Sequence, residues 1–210
     1  MLLPILWVLR GKSSRGMRVF HRYLLPAFEE GRGRLFWIVG SFPSVLIHEQ
    51  VNGLDEERDV DYFYGAYRNR FWKTMAGIVS KRGGGQCDLV YGFYNVGAVL
   101  QRREILSFLG LGITDIYAEV ETEGKASDQH LSVLAWNPYL RDVLSSPTRV
   151  VLATSRLVER ELRRCAQQWG SGVRVVVLPS PSPRSLLAGY SDEGLLVAYE
   201  RVFVDAGILS

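Results

Sequence analysis

Arg149-Val150-Val151-Leu152-Ala153, then Ser155 to Trp169, then Val173 to Leu178 decide the fold. The first run is short, apolar and rich in Val, which reads as a buried strand. The second repeats Leu157, Val158, Leu162 and Cys165 at helical spacing, which reads as an amphipathic helix. The third is another β-branched run. Strand, helix and strand at this spacing imply a crossover between parallel neighbours, with helices on both faces of the sheet. Ser191-Asp192-Glu193 then caps a last helix expected to run to about Ala206.

In a sheet of this kind ligands sit outside the carboxyl ends of the strands. Two loops leave strands there. Pro179-Ser180-Pro181-Ser182-Pro183 follows Leu178, and Gly40-Ser41-Phe42-Pro43-Ser44 follows the apolar strand Leu35-Phe36-Trp37-Ile38-Val39. Both are expected to open on one edge. Alternating Pro and Ser stiffens the first loop and offers hydroxyls and amides to a phosphate backbone; a plain Pro-rich connection is the other reading. Downstream, Tyr62-Phe63-Tyr64-Gly65-Ala66-Tyr67 and Arg68-Asn69-Arg70 lead into a helix over 69–80, with Phe71, Met75 and Ile78 on one face. The stretch from Leu35 to Trp72 reads as a pocket for a flat polar ring.

The remaining segments are plainer. His21 to Pro26 carries aromatics and a Pro and leads to a turn at Gly31-Arg32-Gly33. His48 to Asp61 holds Glu49, Asp55, Glu56, Glu57, Asp59 and Asp61 and reads as a solvated acidic loop that repels phosphate. The Gly-rich break at Lys81 to Gln86 lacks the pattern of a nucleotide P-loop. A helix from about Val96 to Leu109 is stopped by Gly110 and Gly112, and Ile113 to Val120 is β-rich. Asp128 to Leu144 reads as irregular chain plus a short helix started by Pro138.

The 210 residues fit one domain over 18–210, with 1–17 as an arm or extra strand. The apolar residues at the start are too few to span a bilayer, and Arg10 and Lys12 follow them rather than lead them, so neither a membrane anchor nor export is expected. A formal net charge of +3 permits a polyanionic partner without requiring one. Cys87 and Cys165 lie far apart with no C-x-x-C spacing, which disfavours zinc and fits a reducing, cytoplasmic setting.

Taken in order, Gly40-Ser41-Phe42-Pro43-Ser44, Tyr64-Gly65 with Arg68-Asn69-Arg70-Phe71-Trp72, and Leu178-Pro179-Ser180-Pro181-Ser182-Pro183 resemble the uracil-DNA glycosylase superfamily. The nearest likeness is to its hypoxanthine-DNA glycosylase branch, family 6, close to the mismatch-specific uracil enzymes. That resemblance implies an α/β fold of three layers, α/β/α, around a central, mostly parallel four-stranded sheet. It implies a monofunctional enzyme of base excision repair that flips a deaminated base, hypoxanthine or uracil, out of double- or single-stranded DNA and cuts its glycosidic bond. No metal or other cofactor is expected, and the protein is expected to act as a monomer on DNA in the cytoplasm, at the nucleoid.

The resemblance also assigns roles. Gly40, Ser41, Phe42, Pro43 and Ser44 contact the base or its water through their backbone, and Tyr64 stacks on the base. Asn69 matches the family's catalytic Asn, and Asp115 is the best spare carboxylate for activating water. Arg68, Ser180, Pro181, Ser182, Arg184 and Ser185 touch the DNA, with Arg184 in the place of the wedge residue. On the residues alone, Tyr64 reads equally as core, Asn69 as a helix cap and Asp115 as a surface carboxylate. Two departures stand out: Ala66-Tyr67 replaces the family's His-Pro, and Ser180 replaces the His that begins the last motif in most uracil enzymes. Phe42 fills the position where the main uracil enzymes carry Asp or Asn. Phe42 and Ala66-Tyr67 support a second reading, a weak or inactive module that binds damaged DNA or a nucleotide. A serine hydrolase built on Ser180 or Ser182 lacks the G-x-S-x-G elbow. His48 and His130 fall in no matching motif and read as surface residues.

Overall fold

The computed structural model describes residues 16–44, 53–122, 131–183 and 189–210. Four strands form a fully parallel sheet: β2 (Phe36–Gly40), β3 (Leu111–Asp115), β6 (Val150–Ala153) and β7 (Arg174–Val177), in the order β3-β2-β6-β7. Alternation along β2 sends Ile38 to one face and Trp37 and Val39 to the other. The first face packs on three helices, α2 (Phe71–Lys81), α3 (Val96–Phe108) and α6 (Asp192–Ala206). The second packs on α5 (Arg156–Gln168) and the short α4 (Leu140–Val143). The layers are those expected from the crossover at 149–178.

Local signals explain the helix ends. Ser155 Oγ accepts from the Val158 amide and Ser191 Oγ from the Gly194 amide, so each starts its helix by satisfying an otherwise orphaned donor. Gly207, at φ 77°, closes α6 in the left-handed conformation.

The structure departs from the sequence reading in four places. Leu131–Trp136 is a strand, β5, not irregular chain; it pairs with β4 (Tyr117–Thr122), which pairs with β1 (Met17–Phe20) in a separate antiparallel sheet. Every residue of β5 is half or fully exposed at the sheet edge, so no buried face marks it in the sequence. Leu24–Gly31 is a helix, α1, and its Pro26 sits in the first turn, where the missing N–H has no partner to lose. Gly112 is not a stop. It lies within β3 beside Trp37, whose indole occupies the space that a Cβ would fill. The acidic run is not simply solvated: buried Asp59 accepts from the Asp55 and Tyr67 amides, and Asp61 accepts from Arg22 and the Tyr23 hydroxyl. His48 and His130 lie outside the described residues.

Burial pushes the Tyr62 and Tyr199 hydroxyls well above their usual range, and burial with the Asp61 carboxylate does the same to Tyr23. Folding therefore favours the neutral phenols. Their contribution is complete below the unfolded value of about 10 and is lost as pH climbs beyond it. Thermal melts should hold between pH 7 and 9 and fall steeply once pH passes about 10; an unchanged melting temperature at pH 11 would contradict these burials.

Candidate active site

The candidate site lies at the carboxyl ends of β2, β3 and β6. Gly40 and Asp115, the last residues of β2 and β3, are register partners. The chain beyond them is pinned by two bonds, from the Ile116 amide to Gly40 O and from the Tyr117 amide to Ser41 O. Thr154 follows β6 directly, and its amide donates to Val39 O.

Tyr64 arrives from the loop before α2. Its φ of 53° is the one positive value among the described non-glycine residues. Such a backbone persists only where its surroundings enforce it. Here they do: Gly65 passes so close to Val60 O that a Cβ would collide with it, and the Trp72 indole N–H donates to Phe63 O at 2.7 Å. The Tyr64 ring stacks on Phe71, with centroids 4.5 Å apart. Its hydroxyl lies 2.9 Å from Thr154 Oγ1. The Thr154 hydroxyl points its own proton at Val39 O, which makes Tyr64 the donor between the two.

Asp115 is buried, with its carboxylate 4% exposed, so the surface reading of this residue does not hold. Oδ2 accepts from His21 Nε2 at 2.9 Å. Oδ1 accepts no hydrogen bond among the described residues. The backbone behind it is held by Asn137, whose amide nitrogen donates to Asp115 O at 2.8 Å and to Thr114 Oγ1 at 2.9 Å. A methyl on Gly40 would run into both Asp115 Oδ1 and the Tyr64 hydroxyl. Those two oxygens therefore converge over the bare Cα of Gly40, within reach of one bridging water.

The other sequence-derived residues take varied places. Asn69 Oδ1 accepts from the Phe71 amide at 2.9 Å and so caps α2, while its amide nitrogen donates to no described residue. The next amide, Arg70 N–H, donates to Pro181 O at 3.0 Å and ties the start of α2 to the Pro-Ser loop. Ser180 is exposed, with Oγ accepting from the Ser182 amide, and Pro181 is buried. Arg68 is exposed and donates to the Tyr67 hydroxyl. The Phe42 ring is buried in the core of the second face, edge-on to His21, so only its backbone is left for a ligand. Pro43 is buried beside it and Ser44 is partly exposed. Arg184 and Ser185 lie outside the described residues. His21, Thr154 and Asn137 carried no sequence motif, and only long-range contacts bring them to the site.

No group of three or more metal-ligating side chains occurs among the described residues, and no helix among them is long and apolar enough to cross a membrane. Two hollows of about 330 and about 650 Å³ open near the amino ends of the strands, beside Leu111 and Gly112 and beside Leu35 and Val173. Neither contains Gly40, Tyr64 or Asp115. Convergent polar groups, rather than hollow volume, single out the carboxyl end.

No family model and no curated protein matches the chain. Among solved structures, a solution NMR structure from Methanosarcina acetivorans, of a protein provisionally named a uracil DNA glycosylase, is similar in fold. The two share 16% identity and a TM-score of 0.55, over 89% of this chain and 96% of that one. The fold is uracil-DNA glycosylase-like. The candidate site lies at the edge of the sheet where open α/β sheets bind ligands.

Proposed function

We propose that the protein is a DNA glycosylase that flips a deaminated base, hypoxanthine or uracil, out of DNA and hydrolyses its N-glycosidic bond. The convergence of Asp115 Oδ1 and the Tyr64 hydroxyl over Gly40 carries this reading. Tyr64, its ring stacked on Phe71, is the side chain assigned to stack on the base. A water between the flipped nucleotide and Asp115 gives its proton to Oδ1 while its oxygen bonds to the sugar C1′. The C1′–N bond breaks, and its electron pair departs with the base, which takes up a proton from Asp115 or solvent. The Asn69 amide nitrogen donates to the departing base as negative charge builds on it. Gly40 to Ser44 line the base through their backbone, and Arg68, Ser180 and Ser182 lie where they meet the DNA strand.

Oligonucleotides holding one deoxyinosine, uracil, xanthine or G·T mismatch, treated with alkali after incubation, test this. Scission at deoxyinosine or uracil is expected, with affinity that falls as salt rises. A second reading, a module that binds damaged DNA without cutting it, draws on the use of Asn69 Oδ1 as a cap. Retained binding with no scission on any substrate selects it.

Asn69→Ala is expected to slow excision about 100-fold through loss of a donor to the departing base. It should also cost about 1 kcal/mol of stability through loss of the cap. Single-turnover rates and denaturant melts separate the two. Loss of stability with full activity would leave Asn69 as a cap alone.

A further inference from the structure

We infer that His21 is the positioning residue for Asp115, fixing the carboxylate so that Oδ1 faces the attacking water; this rests on the glycosylase reading. The His21 side chain is fully buried. Aromatic rings of Tyr23, Phe42 and Phe63 surround it, with centroids 5.4 to 5.7 Å away. Its Nδ1 accepts from the Tyr23 amide at 3.2 Å, which places the ring proton on Nε2, the atom that meets Asp115 Oδ2. One ring thus fixes both the tautomer and the direction of the donor, as an orienting partner does for a catalytic base. With Oδ2 held, rotation of the carboxylate is blocked and Oδ1 keeps its place over Gly40.

The same geometry gives Phe42 a job. Where the main uracil enzymes carry Asp or Asn, this chain places a ring edge-on to His21, at an interplanar angle of 79°. The acid comes instead from the end of β3, one strand over, and Phe42 roofs the imidazole that orients it. Water that would compete for Nε2 is kept out, which strengthens the bond to Oδ2.

Two substitutions test this. His21→Gln keeps a nitrogen donor near the position of Nε2, whereas His21→Leu keeps bulk and loses the donor. Excision by His21→Leu is expected to fall about 100-fold in kcat with KM for DNA changed less than about threefold, and His21→Gln to stay within about tenfold of the unaltered protein. A merely structural histidine would show no such split between the two variants. Equal activity in all three proteins overturns the inference while leaving the glycosylase reading intact. An unaltered protein that excises no base sinks both. Should neither variant fold, the nitrogen-15 spectrum of the unaltered protein decides: a proton on Nε2 is expected, and one on Nδ1 overturns the assignment.

Discussion

Asp115→Asn is expected to lower base excision about 1000-fold while leaving the fold and DNA affinity nearly unchanged. The substitution is close to isosteric. An asparagine can still accept from His21 Nε2 through its oxygen, and the amide bonds from Asn137 reach only the backbone of residue 115. What disappears is the Asp115 oxygen that accepts no hydrogen bond among the described residues and lies beside Gly40 and Tyr64. Removing a buried charge from a site with one partner should not cost stability, so the melting temperature should stay level or rise slightly. Single-turnover rates on a deoxyinosine or uracil duplex, beside a thermal melt, read both effects. A loss smaller than about tenfold would remove Asp115 from the chemistry.

Gly40→Ala carries the second large effect. Gly40 has no left-handed backbone to protect, so the cost is not strain in φ but the collision of a methyl with Asp115 Oδ1 and the Tyr64 hydroxyl. Both oxygens must shift, which disturbs two bonds, Tyr64 to Thr154 and His21 to Asp115. Overpacking of this kind costs about 1–3 kcal/mol. Displacing a reacting group by about an ångström costs roughly 100-fold in rate. Gly33→Ala makes the control: its φ is 80° and nothing lies within 4 Å of the added methyl, so about 1 kcal/mol is expected without loss of activity. Similar activity losses in both variants would detach the Gly40 effect from the site.

Strands β2, β6 and β7 and the two strand-end loops were legible because each of those strands is a short apolar run with Gly, Ser or Pro soon after it, a signal contained in a few neighbouring residues. Strand β3 was not, because its Gly112 reads as a helix stop. Asp115 and Tyr64 were legible as residues but not as partners. Their meeting depends on β3 lying beside β2 and on the tight turn at Gly65, neither of which local spacing encodes. His21 was invisible for the same reason: its partner is 94 residues away, and its own segment reads as a connection before the turn at Gly31. Phe42 was read through the backbone of its loop, and only the packed structure gives its ring a purpose. The edge strand β5 escaped because an exposed strand has no buried alternation to show. Asp59 and Asp61 looked like solvated charge in the sequence, yet each ends on amides or hydroxyls that hold the Tyr62 to Tyr67 loop against the rest of the chain.

On the glycosylase reading, this edge of the sheet releases a damaged base. Its most direct measurement is the free base set loose from a duplex holding one deoxyinosine or one uracil, detected by mass spectrometry with the protein in excess over DNA. Hypoxanthine or uracil should appear in step with abasic sites, and the yield should collapse in Asp115→Asn. No free base from either duplex, with the protein folded and bound to the DNA, would contradict the account.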